Sequence, residues 1–179
     1  MTHQDASIWV FGYGSLMWNP GFPHVERQMA VLEGWHRALC IYSHVHRGTP
    51  ERPGLVLGLD QGGSCHGVAF RVAPHEAEPT LAYLRARELV THVYLERTLP
   101  IRLEDGKLMN ALAYVVDRSH AQYAGRLPHT DLLRLIRQGH GLSGRNADYV
   151  LATHQHLEAL GVPDDALAQL SDELAASGP

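Results

Sequence analysis

The chain has 179 residues, enough for one domain with its own core, and its 45% hydrophobic and 19% charged residues are typical of a globular protein. Its net charge of -4, with 13 histidines counted as neutral, argues against a binder of duplex DNA or of an anionic membrane surface, because such proteins need a basic face. No apolar run approaches the ~20 residues of a membrane span.

Two further features bear on localisation and domain count. The first ten residues, MTHQDASIWV, lack the basic and apolar regions of a signal peptide. Cys40 and Cys65 are the only cysteines and have no CxxC spacing, so we expect buried, reduced thiols in a cytoplasmic protein. No repeat, low-complexity tract or linker divides the chain, which predicts one domain over residues 1–179.

The first part of the chain is predicted to be rich in strands. Val10 and Phe11 lie in a first strand, and two apolar segments follow at 26–35 and 36–43. Within the second segment, residues 38–41 suit a strand that is buried on both faces.

A loop and a second group of strands come next. The glycine and proline content of residues 44–54 predicts a loop. Residues 55–72 contain two apolar runs around Gly62 and Gly63, which we interpret as a hairpin.

The hydrophobic period changes to that of a helix between residues 76 and 90. Leu81, Leu84 and Glu88 are spaced by three and four residues, and Pro79 fits a first helical turn. Apolar runs at 92–103 and 108–116 then predict a second hairpin, whose turn contains Asp105 and Gly106.

The last third of the chain is predicted to be helical. Helices are expected at 130–138, at about 145–160 and at about 164–174, with Ser143 and Asp164 as N-caps and Gly161 as a C-terminal stop. Several strands followed by helices indicate an α+β fold with a curved or barrel-like sheet.

The histidines do not form a recognisable metal motif. His154 and His156 are two residues apart on a predicted helix and therefore point to different sides. His44 and His46 would share a face if extended, but no Asp or Cys lies nearby at ligand spacing. We therefore favour loop and surface histidines over a metal site.

The stretch VFGYGSLMWNPGF, residues 10–22, follows an apolar strand with two glycines and a serine. Ser15 lacks the G-x-S-x-G context of a hydrolase nucleophile, and the glycines match neither a P-loop nor a dinucleotide-binding turn. Two interpretations stay open: a nest of backbone amides that binds an anion or a carboxylate, or a tight turn that only ends the strand.

Glu88 shares a helical face with leucines and is expected to be at least partly buried. Burial raises a carboxyl pKa from about 4.3 towards that of a useful general base. The alternative is that Glu88 only pairs with Arg85 or Arg87.

Four motifs occur in order: VFGYGSLMWNPGF, then HRGTPERPG, then YLRARE, then GLSGRNADYVLATHQHLEALGVPD. With these motifs the chain resembles the ChaC-like family of γ-glutamylcyclotransferases from about residue 8 to about residue 172. The resemblance implies a small mixed β-barrel with flanking helices. It also implies cleavage of glutathione to 5-oxoproline and Cys-Gly, with no metal and no organic cofactor.

The resemblance also implies roles for particular residues. Glu88, preceded by the matching Arg87, is the acid/base residue. The γ-glutamyl group is held by the glycine-rich segment, which consists of Val10, Phe11, Gly12, Tyr13, Gly14, Ser15 and Leu16. Arg47 is a candidate partner of a substrate carboxylate or else a solvated loop residue, and Tyr149 either reaches the pocket or lies in the core.

The implied chemistry needs no nucleophile from the enzyme, because the substrate's α-amine attacks its own γ-carbonyl. Glu88 would take a proton from this amine and deliver one to the leaving nitrogen. Amides of the segment from Gly12 to Leu16 would meet the oxyanion or the α-carboxylate, and the hydroxyl of Ser15 would donate a hydrogen bond.

The chain departs from its relatives directly after the acid, where many have R-E-x-x-G-Y and this chain has Arg87-Glu88-Leu89-Val90-Thr91-His92. Other γ-glutamyl peptides or γ-glutamyl-amines therefore remain alternative substrates. A non-catalytic protein that binds a γ-glutamyl metabolite is a further alternative. In each case we expect a small-molecule ligand, no nucleic acid and no membrane partner.

Overall fold

A computed structural model of the chain describes residues 7–176. These residues form two compact units, the first from residues 7–37 and 59–120 and the second from residues 38–58 and 121–176. The prediction of one domain over the whole chain stays a prediction. The signal-peptide prediction rests mostly on residues 1–6, which lie outside the described part.

Five strands form a closed barrel in the order β1-β3-β2-β4-β5. Strand β1 is antiparallel to β3 and parallel to β5, and β4 and β5 form an antiparallel hairpin. This mixed barrel, together with four helices, confirms the predicted α+β fold with a barrel-like sheet. The strands are β1 (Ile8–Gly12), β2 (Glu26–Ser43), β3 (Gly54–Val72), β4 (Tyr94–Leu103) and β5 (Leu108–Val116).

Strand β1 lies between β3 and β5 in the barrel, and its run of apolar side chains is buried. It pairs with β3 from Ile8↔Val72 to Gly12↔Val68 and touches β5 at Val10↔Leu112. Because neighbours lie on both edges and both faces are covered, Val10 and Phe11 are 0% and 1% exposed. The strand ends at Gly12, and the chain turns there.

The hairpin predicted at Gly62 and Gly63 is wrong. Both residues lie inside the single 19-residue strand β3, with φ of +102° and +66°. The carbonyl oxygen of Gly62 lies 2.9 Å from Nδ1 of His36 on β2. Likewise, the segments 26–35 and 36–43 are one strand. Glycine pairs permit a chain reversal, but here pairing in the barrel keeps the strand running.

The second hairpin is confirmed. Its turn contains Gly106 at φ +89°, and Oδ1 of Asp105 accepts the N–H of Lys107 at 3.0 Å. Pairing between β4 and β5 extends from Arg102↔Leu108 to Tyr94↔Val116.

Helix α1 (Ala77–Glu88) lies between β3 and β4 and follows a short 3₁₀ turn. The predicted helical face is confirmed, because Leu84 is fully buried. Pro79 lies in the first turn, where its missing N–H has no intrahelical partner to lose. The helix ends two residues earlier than expected, so that Glu88 is its last residue.

The second unit contains the three predicted helices, which are confirmed with small shifts. They are α2 (His129–Gln138), α3 (Asn146–Leu160) and α4 (Asp165–Ala176), and a two-stranded sheet of β6 (His140–Gly141) and β7 (Gly144–Arg145) lies between the first two.

The predicted helix ends in this unit are partly confirmed. Asp164 caps α4, since its Oδ1 accepts the N–H of Leu167 at 3.0 Å, and Gly161 ends α3 at φ +71°. The N-cap prediction for Ser143 is wrong. Helix α3 begins after Arg145, and the hydroxyl of Ser143 lies 3.0 Å from Nδ1 of His46 instead.

The cysteines and the helices bear on the predictions of buried thiols and of no membrane span. Cys40 and Cys65 are both buried thiols, as expected. Within residues 7–176, none of the helices has the length and apolarity needed to cross a membrane.

Candidate active site in the first unit

The chain leaves β1 in a turn segment, defined here as residues 12–20. Residues Ser15–Met17 form one turn of 3₁₀ helix, in which the N–H of Met17 donates to the carbonyl of Gly14 at 2.9 Å. The amides of Ser15 and Leu16 precede this first internal bond, as the first amides of any helix do. The buried side chains of Leu16 and Met17 hold the turn against the protein. The turn therefore presents amides from a fixed backbone.

Gly12 allows this turn to fold back closely on the end of β1. A Cβ at Gly12 would lie 3.1 Å from Cβ of Leu16 and 3.2 Å from the backbone N of Met17. Both distances are shorter than ordinary van der Waals contact, and one partner is backbone, which has little freedom to move. A larger residue at position 12 would therefore displace the amides of the turn.

The carbonyl of Tyr13 is held by an arginine that the sequence analysis did not identify. Nε of Arg37 on β2 donates to the Tyr13 carbonyl at 2.6 Å, and Nη2 of Arg37 donates to the carbonyl of His66 at 2.7 Å. Arg37 and Tyr13 are far apart in sequence, so no local pattern could have predicted their contact.

Glu88 is the last residue of α1, and its side chain is only 17% exposed. Burial raises the pKa of this carboxyl above its ordinary value, and the charge of Arg87 partly offsets the effect. Nε of Arg87 lies 3.4 Å from Oε1 of Glu88. The expected burial of Glu88 is confirmed. Its pairing with Arg87, which was the alternative interpretation, is present as well, so Glu88 is both buried and paired.

Arg87 connects the end of α1 to the turn segment. Its Nη2 donates to Oγ of Ser15 at 2.9 Å, and its Nη1 donates to the carbonyl of Asn19 at 2.8 Å. The structure thus brings the helix end that carries Glu88 to the turn predicted to hold the substrate. Since a guanidinium is only a donor, Ser15 accepts from it and keeps its own proton for donation to a further group.

A partly buried polar network lies beside this helix end. The hydroxyl of Tyr114, a residue only 1% exposed, donates to Oε1 of Glu96 at 2.9 Å, and Arg85 binds both oxygens of Glu96 at 3.1 and 3.0 Å. Hydrogen bonds from Arg85 and Tyr114 hold the pKa of Glu96 below its usual value.

Tyr114 is a neutral hydrogen-bond donor over the whole physiological pH range. Burial raises its pKa well above the usual range, and the carboxylates of Glu96 and Glu88 act in the same direction. Tyr114 was missed from sequence because its apolar strand context gives no sign of a polar partner.

The remaining predicted site residues fall into two groups. Val10, Phe11 and Leu16 have buried side chains, so any contact with a ligand would come from their backbone. Arg47 and Tyr149 belong to the second unit, where the guanidinium of Arg47 lies 5.4 Å from the centre of the Tyr149 ring.

Tyr149 has a clear structural contact of its own. Its hydroxyl accepts the N–H of Leu57 at 3.1 Å, and Nη1 of Arg47 donates to the carbonyl of Arg145 at 3.1 Å. Substrate-binding roles for Arg47 and Tyr149 stay predictions. In the described part of the chain, no group of three or more His, Cys, Asp or Glu side chains is arranged to hold a metal ion.

Comparison with known proteins agrees with this arrangement. The family model described as "ChaC-like protein" matches residues 8–177. The chain is 38% identical to the glutathione-specific γ-glutamylcyclotransferase of Escherichia coli K12 over 166 residues, which cover 93% of this chain and 72% of that protein. It is 30% identical over 179 residues to the human glutathione-specific γ-glutamylcyclotransferase 1, covering 97% of this chain and 81% of the human protein.

The fold is shared with a solved structure. A crystal structure of a glutathione-specific γ-glutamylcyclotransferase from yeast superimposes with a TM-score of 0.83, covering 96% of this chain and 97% of the yeast chain at 21% identity. At 21% sequence identity, the similarity to the yeast structure establishes the fold alone. The family match over nearly the whole chain and the two relatives establish the family: this chain belongs to the ChaC-like protein family.

Proposed function

We propose that this protein is a γ-glutamylcyclotransferase that cleaves glutathione to 5-oxoproline and Cys-Gly. The observation that carries the proposal is the 38% identity, over 93% of the chain, to a bacterial protein named for this activity. The geometry of the first unit supports it, because a mostly buried carboxyl lies next to an arginine that contacts the glycine-rich turn.

The first step of the reaction removes a proton from the substrate's α-ammonium group, whose pKa is about 8. The carboxylate of Glu88 accepts this proton. Burial raises the pKa of Glu88 towards that of the amine, which makes the transfer less unfavourable than it would be for an exposed carboxylate.

The freed amine then attacks the γ-carbonyl carbon of the same molecule. A carbon–nitrogen bond forms, a five-membered ring closes and the carbonyl oxygen becomes an oxyanion. Because both reacting groups belong to one molecule, the enzyme only needs to hold the folded conformer. The amides of Ser15 and Leu16 are suited to stabilise a negative oxygen.

The last step breaks the bond between the γ-carbon and the cysteine nitrogen. The oxyanion re-forms the carbonyl as Glu88 returns its proton to the leaving nitrogen. The ring nitrogen, which became positively charged in the attack, releases its second proton to water, so that the products are the neutral amine of Cys-Gly and 5-oxoproline. The carboxylate ends in its starting state, so one residue serves both transfers. In this scheme Ser15 donates a hydrogen bond and forms no covalent intermediate.

A second candidate is a cyclotransferase that prefers other γ-glutamyl peptides or γ-glutamyl-amines. The observation in its favour is the departure from the family pattern directly after Glu88, where Leu89 to His92 form a turn that includes His92 at φ +59°. A non-glycine residue in this conformation fixes an unusual path for the chain that follows the catalytic acid.

The setting of the reaction is also part of the proposal. We infer a cytoplasmic enzyme that acts on a small molecule and needs neither metal, organic cofactor, nucleic acid nor membrane. Two buried cysteine thiols and a net charge of -4 support this inference.

A substrate panel tests the proposal. Purified protein is incubated with glutathione, γ-glutamyl dipeptides and γ-glutamyl-amines, and released 5-oxoproline is quantified by mass spectrometry. We expect release from glutathione with the highest kcat/KM. A higher kcat/KM for an amine or a dipeptide would favour the second candidate. Binding without release from any compound would mean that the protein is a metabolite-binding protein and not an enzyme.

A further inference from the structure

We propose that Arg87 is a positioning residue that ties the turn segment to the end of α1, and so sets the separation between the turn's backbone amides and the carboxyl group of Glu88. The effect on catalysis rests on the proposed function above. The contact of Arg87 with the turn segment does not depend on that function, because it concerns only the structure of the protein.

The contacts on the turn side span most of the turn segment. Nη2 of Arg87 donates to Oγ of Ser15 at 2.9 Å, at the beginning of the 3₁₀ turn. Nη1 donates to the carbonyl of Asn19 at 2.8 Å and lies 3.3 Å from the carbonyl of Pro20. One guanidinium group therefore holds both ends of the stretch from Ser15 to Pro20.

The contacts on the helix side fix the guanidinium itself. Nη1 also donates to the hydroxyl of Tyr83 at 3.0 Å, one helical turn earlier, and Nε lies 3.4 Å from Oε1 of Glu88. Gly21 adds a close approach from the chain just after the turn segment, since a Cβ there would collide with the Tyr83 hydroxyl. All three nitrogens of the Arg87 fork are thus engaged.

The chemistry of these partners favours arginine over lysine. The planar guanidinium points donors in several fixed directions at once, whereas an ammonium group is a compact charge on a flexible stem. The Arg87 side chain is only 21% exposed, so water has limited access to replace these hydrogen bonds. A lysine would keep the charge beside Glu88 but would not reach the hydroxyl and both carbonyls together.

Three variants test the tie. Arg87→Gln removes the charge and most of the donors, and Arg87→Lys keeps the charge without the fork. Arg102→Gln is the control, because Arg102 also lies in the first unit and forms an exposed ion pair with Glu33 at 3.4 Å. Each variant is first checked for folding by circular dichroism.

Amide hydrogen exchange of the turn segment is the readout that does not depend on activity. We expect faster exchange of the amides of residues 12–19 in both Arg87 variants, and exchange at the wild-type rate in Arg102→Gln. Unchanged exchange of this segment in Arg87→Lys would overturn the proposal, even if Arg87→Gln failed to fold.

Kinetics on the best substrate of the panel give the second readout. A misplaced turn should lower kcat by about 10- to 100-fold in both Arg87 variants, because errors of about 1 Å cost this much. Retention of kcat within about twofold of wild type would overturn the positioning role.

The pH profile separates the charge of Arg87 from its geometry. The charged group that acts on the pKa of Glu88 is Arg87 on its own helix, and Glu88 in turn raises the pKa of Tyr114 on β5, whose hydroxyl donates to Glu96. Since Arg87 lowers the pKa of Glu88, we expect Arg87→Gln to move the acid limb of kcat/KM to higher pH and Arg87→Lys to leave it in place. An acid limb that does not move in Arg87→Gln would contradict the pairing with Glu88.

The outcomes distinguish the two proposals. If wild-type protein releases no 5-oxoproline from any compound, the proposed function fails, and hydrogen exchange alone still decides whether Arg87 holds the turn. If wild-type protein is active but the Arg87 variants match it in exchange and kcat, only the tie fails.

Discussion

Replacement of Glu88 by glutamine is the sharpest test of the proposed chemistry. Glutamine has nearly the same shape as glutamate and keeps one oxygen near Nε of Arg87, which lies 3.4 Å away in the native protein. It has no titratable proton, however, so it can neither accept one from the α-ammonium group nor deliver one to the leaving nitrogen. Catalysis is removed while packing at the end of α1 is kept.

The expected loss of rate follows from the number of proton transfers. General acid–base catalysis typically contributes about 10²- to 10⁴-fold, which is about 3–5 kcal/mol of activation free energy. Because the same carboxyl group serves both transfers, we expect a loss of kcat near the upper end of this range, about 10⁴-fold. KM should change little, since the amide still occupies the same space.

Stability should move in the opposite direction to activity. Burial raises the pKa of Glu88 in the folded protein above that in the unfolded chain. The wild type therefore loses stability as the pH rises through the pKa that Glu88 has in the folded protein. Below the pKa of about 4.3 that Glu88 has in the unfolded chain, its carboxyl is protonated in both states and costs no stability. Glu88→Gln does not titrate, so it should be at least as stable as wild type at neutral pH, with no such difference below pH ~4.

The assay compares 5-oxoproline release by wild type, Glu88→Gln and Glu104→Gln, with urea unfolding of each at pH 4 and pH 7. Glu104 is an exposed acid near the turn between β4 and β5 and serves as the matched control. If folded Glu88→Gln keeps more than a few per cent of wild-type kcat, the proton shuttle belongs to another group. If it is less stable than wild type at neutral pH, burial is not what dominates the environment of Glu88.

Three further predictions concern the turn segment and the second unit. Gly12→Val places a side chain 3.1 Å from Cβ of Leu16, so we expect KM to rise by about tenfold or more; an unchanged KM would mean that the turn does not contact substrate. Ser15→Ala should lower kcat by less than about tenfold, and mass spectrometry of wild type during turnover should find no acyl-enzyme; such an adduct would make Ser15 a nucleophile. Asn146→Ala removes two buried hydrogen bonds, each 2.8 Å, to the N–H and C=O of Leu55. We expect urea titrations to show a free energy of unfolding lower by about 2–4 kcal/mol, and an unchanged value would mean that these bonds do not stabilise the fold.

Local patterns in the sequence predicted those features that depend on neighbouring residues. Helical spacing placed Leu84 and Glu88 on one face, and the structure buries both, Leu84 completely and Glu88 mostly. The turn at Asp105 and Gly106 and the end of α3 at Gly161 were correct because the required backbone conformation is decided within a few residues.

Features that depend on distant partners were predicted poorly. Gly62 and Gly63 have the composition of a hairpin turn, but β3 continues through them beside its neighbour β2, where Nδ1 of His36 lies 2.9 Å from the carbonyl oxygen of Gly62. Ser143 has the side chain of an N-cap, yet its hydroxyl lies beside His46, which is 97 residues away in sequence. In both cases a long-range contact decided between local conformations of similar free energy.

The sequence by itself determined the class of fold, because strands and helices differ in hydrophobic period. The resemblance carried by four motifs in order implied the family, the segment that forms the turn and the acid that is the candidate for proton transfer. Only the tertiary structure decided that Arg87 contacts the turn and that Tyr114 lies buried beside Glu96, within electrostatic reach of Glu88. It also decided that Arg37 holds the carbonyl of Tyr13. Arg87 and Arg37 contact residues that are distant in the chain and meet only in the folded protein, whereas Tyr114 and Glu96 are direct partners across the β4–β5 hairpin, where only burial and side-chain direction decide their contact.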